Sequence, residues 1–231
     1  MIHRHFEEQI AECKFHLVRM GTLVEQMVDK AVQSLIERRE EGLAEVFKLE
    51  EEVNELQIEI DERVINVIAL QHPVAADLRM LVMCSKIAGE LERVGDQAVN
   101  ICQNTVQILP FPPSKPAVEL PMMADAARAM LRDSLDAFVR LEVDLARSIL
   151  ERDDEVDAFK HRIFREFLTH MMSEPASIPH ALPLILIARN LERVADHATN
   201  IAEEVIYVAQ GRDVRHHHEE KKRRCSAEEP V

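Results

Sequence analysis

Glycine and the large aromatic residues are scarce in this chain of 231 residues, which holds five glycines, one tyrosine and no tryptophan. Leucine, alanine, glutamate and arginine recur instead, and these residues favour helices over sheets. Hydrophobic residues make up 47% and charged residues 30% of the sequence, a balance typical of a soluble protein with a packed core. The composition therefore predicts an all-α protein and argues against a disordered chain.

Paired cysteines, a leader segment and long apolar runs are also missing. The four cysteines are scattered without a C-x-x-C pair, so neither a disulfide framework nor a thiolate zinc site is expected. The charged N-terminal sequence MIHRHFEEQ lacks the apolar stretch of a secretory signal, and charges interrupt every apolar run before membrane-spanning length. These observations predict a cytoplasmic protein.

Positive charge is in deficit, with 28 lysines and arginines against 42 aspartates and glutamates and a formal net charge of −14. An acidic surface repels nucleic acids and anionic lipids at long range. We therefore expect no direct binding of nucleic acid. Metal cations and basic surfaces of partner proteins are better candidates for ligands.

Prolines divide the chain into two parts. Five of them fall within the sequence PFPPSKPAVELP at 110–121, and no helix is expected to cross this segment because proline removes a backbone donor and clashes with the preceding turn. We predict a first domain at 1–109, a proline-rich linker at 110–121, a second domain at 122–210 and a flexible polar tail at 211–231.

Apolar residues at helical spacing divide each domain into three helices. The predicted helices lie at 10–36, 49–71 and 75–108 in the first half, and at 122–150, 153–172 and 183–209 in the second. Long amphipathic helices with short connections are typical of up-down-up bundles. The prediction is an all-α fold of two tandem three-helix bundles that arose by internal duplication.

The clearest sign of duplication is that LERVGDQAVNI at 91–101 recurs as LERVADHATNI at 191–201, with eight of eleven positions identical. On a helical wheel, the apolar residues of this phrase share one stripe that should face the core. Gln97 and His197 differ between the copies, and we interpret them as surface positions that have drifted. The stripe of the first copy consists of Leu91, Val94, Ala98 and Ile101.

Each copy also carries a row of oxygen donors at steps of four residues, on the wheel face opposite the core stripe. Like charges four residues apart destabilise a helix by about 0.2–0.5 kcal/mol unless something offsets them. A bound cation or a partner surface would provide that offset. The rows are Glu92, Asp96 and Asn100 in the first copy and Glu192, Asp196 and Asn200 in the second.

The second helix of each half adds polar residues on its flank, where they could face the third helix across a groove. Glu50 and Asn54 stand four residues apart in the first half, and Asp153 and Asp157 match them in the second. Carboxylates without cysteine and with little histidine suit hard, oxygen-preferring cations or iron. The spacing therefore makes these ten residues metal-ligand candidates, in one group per half.

Two other interpretations stay open at this point. Arg93 and Arg193 could neutralise Asp96 and Asp196, three residues further along, which would leave a plain helical scaffold. A metal-dependent enzyme is the other. Di-iron bundles, however, carry Glu-x-x-His motifs that point into the core, and none of the eleven histidines has a glutamate three residues earlier. No P-loop or G-x-S-x-G motif occurs either, so we expect no catalytic residues.

The sequence resembles the PhoU family of phosphate-specific transport system accessory proteins over nearly its whole length. The resemblance is carried by QHPVAADLRM at 71–80, KIAGELERVGDQAVNI at 86–101 and the second copy, ARNLERVADHATNI, at 188–201. It implies a PhoU-like, spectrin-repeat-like pair of three-helix bundles. It also implies metal ions at E/D-x-x-x-D motifs on the bundle surfaces, with iron, zinc, manganese and magnesium left open.

The same resemblance implies a cytoplasmic negative regulator of the phosphate-starvation response and of phosphate uptake. Such a regulator couples the ATPase subunit of a phosphate ABC transporter to a sensor histidine kinase. It would reach the membrane through these partners and form a homodimer. No catalytic activity is implied.

Carried over residue by residue, the metal motif falls on Glu92 with Asp96, on Glu192 with Asp196 and on Asp153 with Asp157. The sequence departs from the motif at Asn54, which is an amide, and Gln57 stands where glutamate is common in the family. The first half therefore has fewer negative charges than the second. We expect metal binding in the first half to be weaker, with a single ion or none.

Overall fold

Six long α-helices make up the part of the chain that the structure, a computed structural model, describes: residues 2–112 and 119–214, with side chains from residue 6 onward. No strand occurs within these ranges, and the predicted all-α fold of two three-helix repeats is confirmed. Most of the predicted tail and the centre of the predicted linker lie outside the described residues. The helices are α1 Ile2–Glu37, α2 Leu43–Gln71, α3 Ala75–Ile108, α4 Leu120–Arg140, α5 Val143–Ser173 and α6 Ile178–Gln210, with a 3-10 turn at Pro175–Ser177 before α6.

The two bundles share one hydrophobic core, because α3 and α6 pack side by side along the middle of the molecule. These two helices are antiparallel, since Lys86 of α3 lies opposite Glu204 of α6 while Glu90 lies opposite Asn200. Helix α1 packs on α2, α3 and α4, and α4 packs on α5 and α6. The outer helices α2 and α5 each cover only their own half.

The apolar stripe of the repeated phrase is fully buried, as the wheel predicts: Leu91, Val94, Ala98 and Ile101 have no exposed surface. The interpretation of Gln97 and His197 as drifted surface positions is wrong. Their exposed fractions are 3% and 7%. A central helix of this fold meets neighbours on more than one side, so its buried arc is wider than one amphipathic stripe.

The predicted helix at 122–150 is also wrong, because the chain breaks between α4 and α5. Leu141 adopts a left-handed conformation with φ 51°, and the amide of Glu142 donates to the carbonyl of Ala137 at 3.0 Å. This is a Schellman motif, which usually has glycine at the left-handed position. Helix α1 ends in the same way, with Arg38 at φ 53° and the Arg39 amide bonded to Ser34 at 3.1 Å.

Two proline positions shift the helix starts. Helix α6 begins at Ile178, five residues before the predicted start, and contains Pro183 as a buried residue. Pro183 costs α6 one backbone hydrogen bond near its start, and burial of the proline ring offsets this loss. Helix α4 begins at Leu120, inside the predicted linker, with Pro121 in the first turn, where a missing N–H costs little. Among the described helices, none is long and apolar enough to cross a bilayer.

Candidate metal centre

The first acidic row lies in the groove between α2 and α3, as the sequence predicts. Partial loss of hydration raises the pKa of Glu92, and the negative charges of Asp96 and Glu50 raise it further. The pKa of Asp96 is raised by the same loss of hydration and by Glu50, which outweigh the opposing positive charge of Arg193 on α6. Asn54 holds this arrangement by donating from Nδ2 to Glu50 Oε1 at 2.9 Å. The structure therefore brings three mutually repelling carboxylates and one amide together across the groove.

The second row occupies the equivalent groove between α5 and α6. Partial burial is the largest cause that raises the pKa of Asp196, and the charges of Glu192, Asp153 and Asp157 bring it to about 6. The pKa of Asp153 is raised as well, first by burial and then by Asp157. The four predicted carboxylates are close enough to interact electrostatically, which is the crowding that a cation would relieve.

Lys160 is a member of the second row that the sequence analysis missed. Its Nζ lies 2.7 Å from Asp157 Oδ1 and 2.8 Å from Glu192 Oε1, so its ammonium joins α5 to α6. Four carboxylates and one ammonium carry a net charge of −3, the same as the three carboxylates of the first row. The charge difference on which the expectation of weaker binding in the first half rested is therefore absent.

Asn200, at the end of the second row, is placed differently from the carboxylates. Asn200 turns toward α3 and donates from Nδ2 to Glu90 Oε2 at 2.9 Å, and His197 Nδ1 lies 2.7 Å from the same oxygen. Asn100 has the equivalent position on α3 and is partly exposed. Asn200 therefore lies at the contact between the two halves, and the second row reduces to its carboxylates and Lys160.

Glu90 is a second residue that the sequence analysis missed. Burial alone would raise the pKa of Glu90, but hydrogen bonds from His197 and Asn200 outweigh it, so the pKa is lowered. Arg93 Nη1 donates to Glu90 Oε1 at 2.8 Å. A wheel of one helix contains no signal for this cluster, because its partners come from the other repeat.

The scaffold alternative, in which arginines neutralise the rows, is not realised in the predicted form. Arg93 pairs with Glu90 on the preceding turn. Within the described ranges, no cationic group lies within salt-bridge distance of Asp96 or Asp196. Lys160 partly realises this alternative in the second half by pairing with Asp157 and Glu192.

The chemistry of the donors fits a hard cation, but their oxygens do not form a closed coordination site in this structure. Carboxylate oxygens on two neighbouring helices are the ligands that magnesium, manganese and iron accept. Among the residues that the structure describes, no three His, Cys, Asp or Glu side chains converge on a common centre. A cation bound by three of these side chains would require their oxygens to lie closer together than they do in this structure.

The raised pKa of Asp196 predicts a pH dependence for the metal-free protein. An acid whose pKa is higher in the folded than in the unfolded state destabilises the fold as it ionises, so stability falls as the pH rises from about 4 to about 6. Asp196→Asn should remove the part of this fall that Asp196 contributes, so that the variant gains stability relative to the wild type across that interval and keeps the gain above it. Urea denaturation from pH 4 to 7 with a chelator measures this difference. A difference that shrinks with rising pH would contradict the placement of Asp196.

These features define a class of protein: a tandem three-helix repeat with one shared core and a carboxylate row in the outer groove of each half. The chain belongs to the PhoU family, since the PhoU domain matches residues 17–105 and 120–205, one match per repeat. Each match ends inside α3 or α6 and includes the row of its half.

Relatives and solved structures agree with this assignment. A PhoU homolog of Pseudomonas putida is 41% identical over 217 residues, covering 93% of this chain and 84% of that protein. The PhoU of Escherichia coli K12 is 32% identical over 211 residues, with 91% and 88% coverage. Both are named phosphate-specific transport system accessory proteins.

Two crystal structures share the fold along their full length. PhoU from Pseudomonas aeruginosa is similar with a TM-score of 0.87 at 35% identity, covering 90% of this chain and 100% of that one. The phosphate transport system regulatory protein PhoU from Streptococcus pneumoniae has a TM-score of 0.83 at 26% identity, with 90% and 99% coverage.

Proposed function

We propose that this protein is an accessory regulator of phosphate transport, which keeps phosphate uptake and the phosphate-starvation response low when phosphate is plentiful. The observation that carries this proposal is family membership across both repeats, together with relatives named as accessory proteins of the phosphate-specific transport system. Coverage of more than four fifths of each of these relatives supports transfer of the role of the whole protein.

In this proposal the protein works by docking and without chemistry of its own. It couples the ATPase subunit of a phosphate ABC transporter to a sensor histidine kinase at the cytoplasmic face of the membrane, and it acts as a homodimer. The acidic surface, with its net charge of −14, supports partners with basic contact surfaces.

The second element of the proposal is cation binding at the acidic rows. Glu50, Glu92 and Asp96 would supply oxygens in the first row, with Asn54 positioning Glu50. Asp153, Asp157, Glu192 and Asp196 are the corresponding oxygens of the second row. The raised pKa values of Glu92, Asp96, Asp153 and Asp196 support this element, because crowded carboxylates gain most from a neutralising cation. The cation supplies charge neutralisation that joins the outer helix to the central helix.

A deletion of the gene in its host tests the regulatory role. We expect a reporter of the phosphate-starvation response to stay high in phosphate-rich medium and phosphate uptake to increase, because the brake on both is absent. A plasmid copy of the wild-type gene should restore low reporter output. If reporter output in rich medium is the same with and without the gene, the proposed regulation is wrong.

The deletion strain also makes it possible to test docking and cation binding separately. Variants in the acidic rows should be compared with the wild type for metal content in the purified protein and for reporter repression in the cell. Lost metal with intact repression would limit the cation to a structural role.

A further inference from the structure

We propose that Lys160 is a built-in cation of the second acidic row, so that a metal ion loads only at the first row. This inference rests on the proposed cation binding at the rows. It reverses the expectation from sequence that the first half binds metal more weakly.

The Lys160 ammonium bridges the two helices that form the second groove. Nζ lies at hydrogen-bond distance from carboxylate oxygens on both helices of the groove, 2.7 Å from Asp157 Oδ1 and 2.8 Å from Glu192 Oε1. A metal ion that joins α5 to α6 would use the same two oxygens. The Lys160 and Glu192 side chains are 25% and 19% exposed, whereas Asp157 is 46% exposed, so the contact with Glu192 is the better shielded of the two.

The equivalent position of the first half provides the contrast. Counting from the matched pairs Glu50 with Asp153 and Asn54 with Asp157, the counterpart of Lys160 is Gln57. Gln57 is neutral, and its amide nitrogen rests over the backbone of α3, where a methyl group added at Gly89 would lie 3.8 Å from it. The first row therefore keeps its three carboxylates without a neighbouring lysine between the helices.

Electrostatics then decides which row takes a metal ion. A divalent cation entering the second row must displace an ammonium that already donates to two carboxylates, or bind beside a positive charge a few ångströms away. Displacement would deprive the Lys160 ammonium of both its carboxylate partners, which opposes the exchange. The charges of Arg93 and Arg193 act on Glu92 and Asp96 and oppose the rise in their pKa values, but in the part of the chain that the structure describes neither arginine forms an ion pair with a carboxylate of the first row. A metal ion there has no hydrogen-bonded ammonium to displace, so metal binding is favoured at the first row.

Reciprocal exchange of the two residues tests the inference. The probe is Mn²⁺ alone, and the readout is the number of ions bound per chain from the loss of the electron paramagnetic resonance signal of free Mn²⁺. We expect about one ion for the wild type, about two for Lys160→Gln and none for Gln57→Lys. Affinity at the second row should rise on the order of a hundredfold in Lys160→Gln.

Two further substitutions of Lys160 separate the effect of its charge from the effect of a new oxygen ligand, and a control at another lysine shows the effect of losing an ion pair elsewhere. Lys160→Met removes the charge without adding an oxygen and should also bind about two ions, whereas Lys160→Arg keeps the charge and should stay at about one. Lys30→Gln is the matched control, because Lys30 forms a similar ion pair between two helices. Its Nζ lies 2.8 Å from Glu45 Oε2, and neither residue belongs to an acidic row. This variant should bind as the wild type does.

The outcomes distinguish this inference from the proposed cation binding. Two equally tight ions in the wild type, or an unchanged single ion in both Lys160→Gln and Lys160→Met, would overturn the role of Lys160 and leave cation binding in place. No bound ion in the wild type or in any variant would overturn cation binding itself. Helix content by circular dichroism confirms that each variant is folded before it is counted.

Discussion

Replacing Glu92 and Asp96 together with alanine is expected to abolish Mn²⁺ binding to the otherwise wild-type protein. The double variant removes two of the three carboxylates of the first row and leaves Glu50 as the only one. Loss of a single residue outside the ligand shell already lowers metal affinity by roughly 10- to 100-fold, so loss of two ligands should exceed a hundredfold. Calorimetric titration with Mn²⁺ measures the change.

The fold should survive this double variant, and metal-free stability should rise slightly. Both carboxylates have raised pKa values, first from partial burial, and then from Asp96 in the case of Glu92 and from Glu50 in the case of Asp96. Their ionised forms therefore work against the folded state. The matched control is Glu51→Ala with Glu55→Ala, two exposed residues of the neighbouring outer helix α2 with the same spacing and the same change in charge.

The control pair decides between a specific site and a general effect of charge. Glu51→Ala with Glu55→Ala should leave Mn²⁺ binding within about a factor of two, since exposed charges are screened over about 8–10 Å. Equal losses in both double variants would show that overall charge governs binding. Unchanged binding in the Glu92 and Asp96 variant would place the metal ion elsewhere.

Truncation of Leu91 to alanine should destabilise both halves of the molecule together, by about 3 kcal/mol. Leu91 is completely buried on α3, which packs against α6 and shares its core. A cavity there therefore lowers the stability of a single cooperative unit. In native-state hydrogen exchange, the slowest amides of α4, α5 and α6 should accelerate by about a hundredfold, as should those of α1, α2 and α3.

The alternative is two bundles that unfold independently, as a simple reading of the duplication implies. In that case acceleration would be confined to α1, α2 and α3, and this result would contradict the shared core. Leu70→Ala makes the same chemical change at a residue of α2 that is 71% exposed. It should change stability by less than about 0.5 kcal/mol and leave the exchange of the slowest amides unaltered.

The sequence alone predicts much of the fold, because amphipathic periodicity reports the contacts of each helix with its own bundle. The bounds of α3, Ala75–Ile108, agree with the prediction, and the stripe through Leu91 is buried. The break after α4 was missed because the left-handed position is Leu141, whereas glycine is the usual signal. Proline favours the first positions of a helix, so the sequence predicts a helix start at Pro183, yet this residue lies inside α6.

The carboxylates of the candidate site could also be predicted, since spacing on one helix and pairing with the neighbouring helix of the same repeat depend on local sequence. What could not be predicted comes from contacts between side chains of different helices. Glu90 with His197 links the two repeats, which no single wheel represents. Lys160 lies three residues after Asp157, a spacing compatible with pairing, but its second contact to Glu192 depends on the approach of α6.

An anomalous diffraction map at the manganese edge, from crystals of the wild-type protein grown with Mn²⁺, tests the central claim most directly. The account predicts a peak between α2 and α3, within coordination distance of Glu92 and Asp96, and no peak between α5 and α6, where Lys160 lies. A map without a peak at either row would contradict cation binding, and a peak at the second row with Lys160 displaced would contradict the assignment of the lysine as the resident cation.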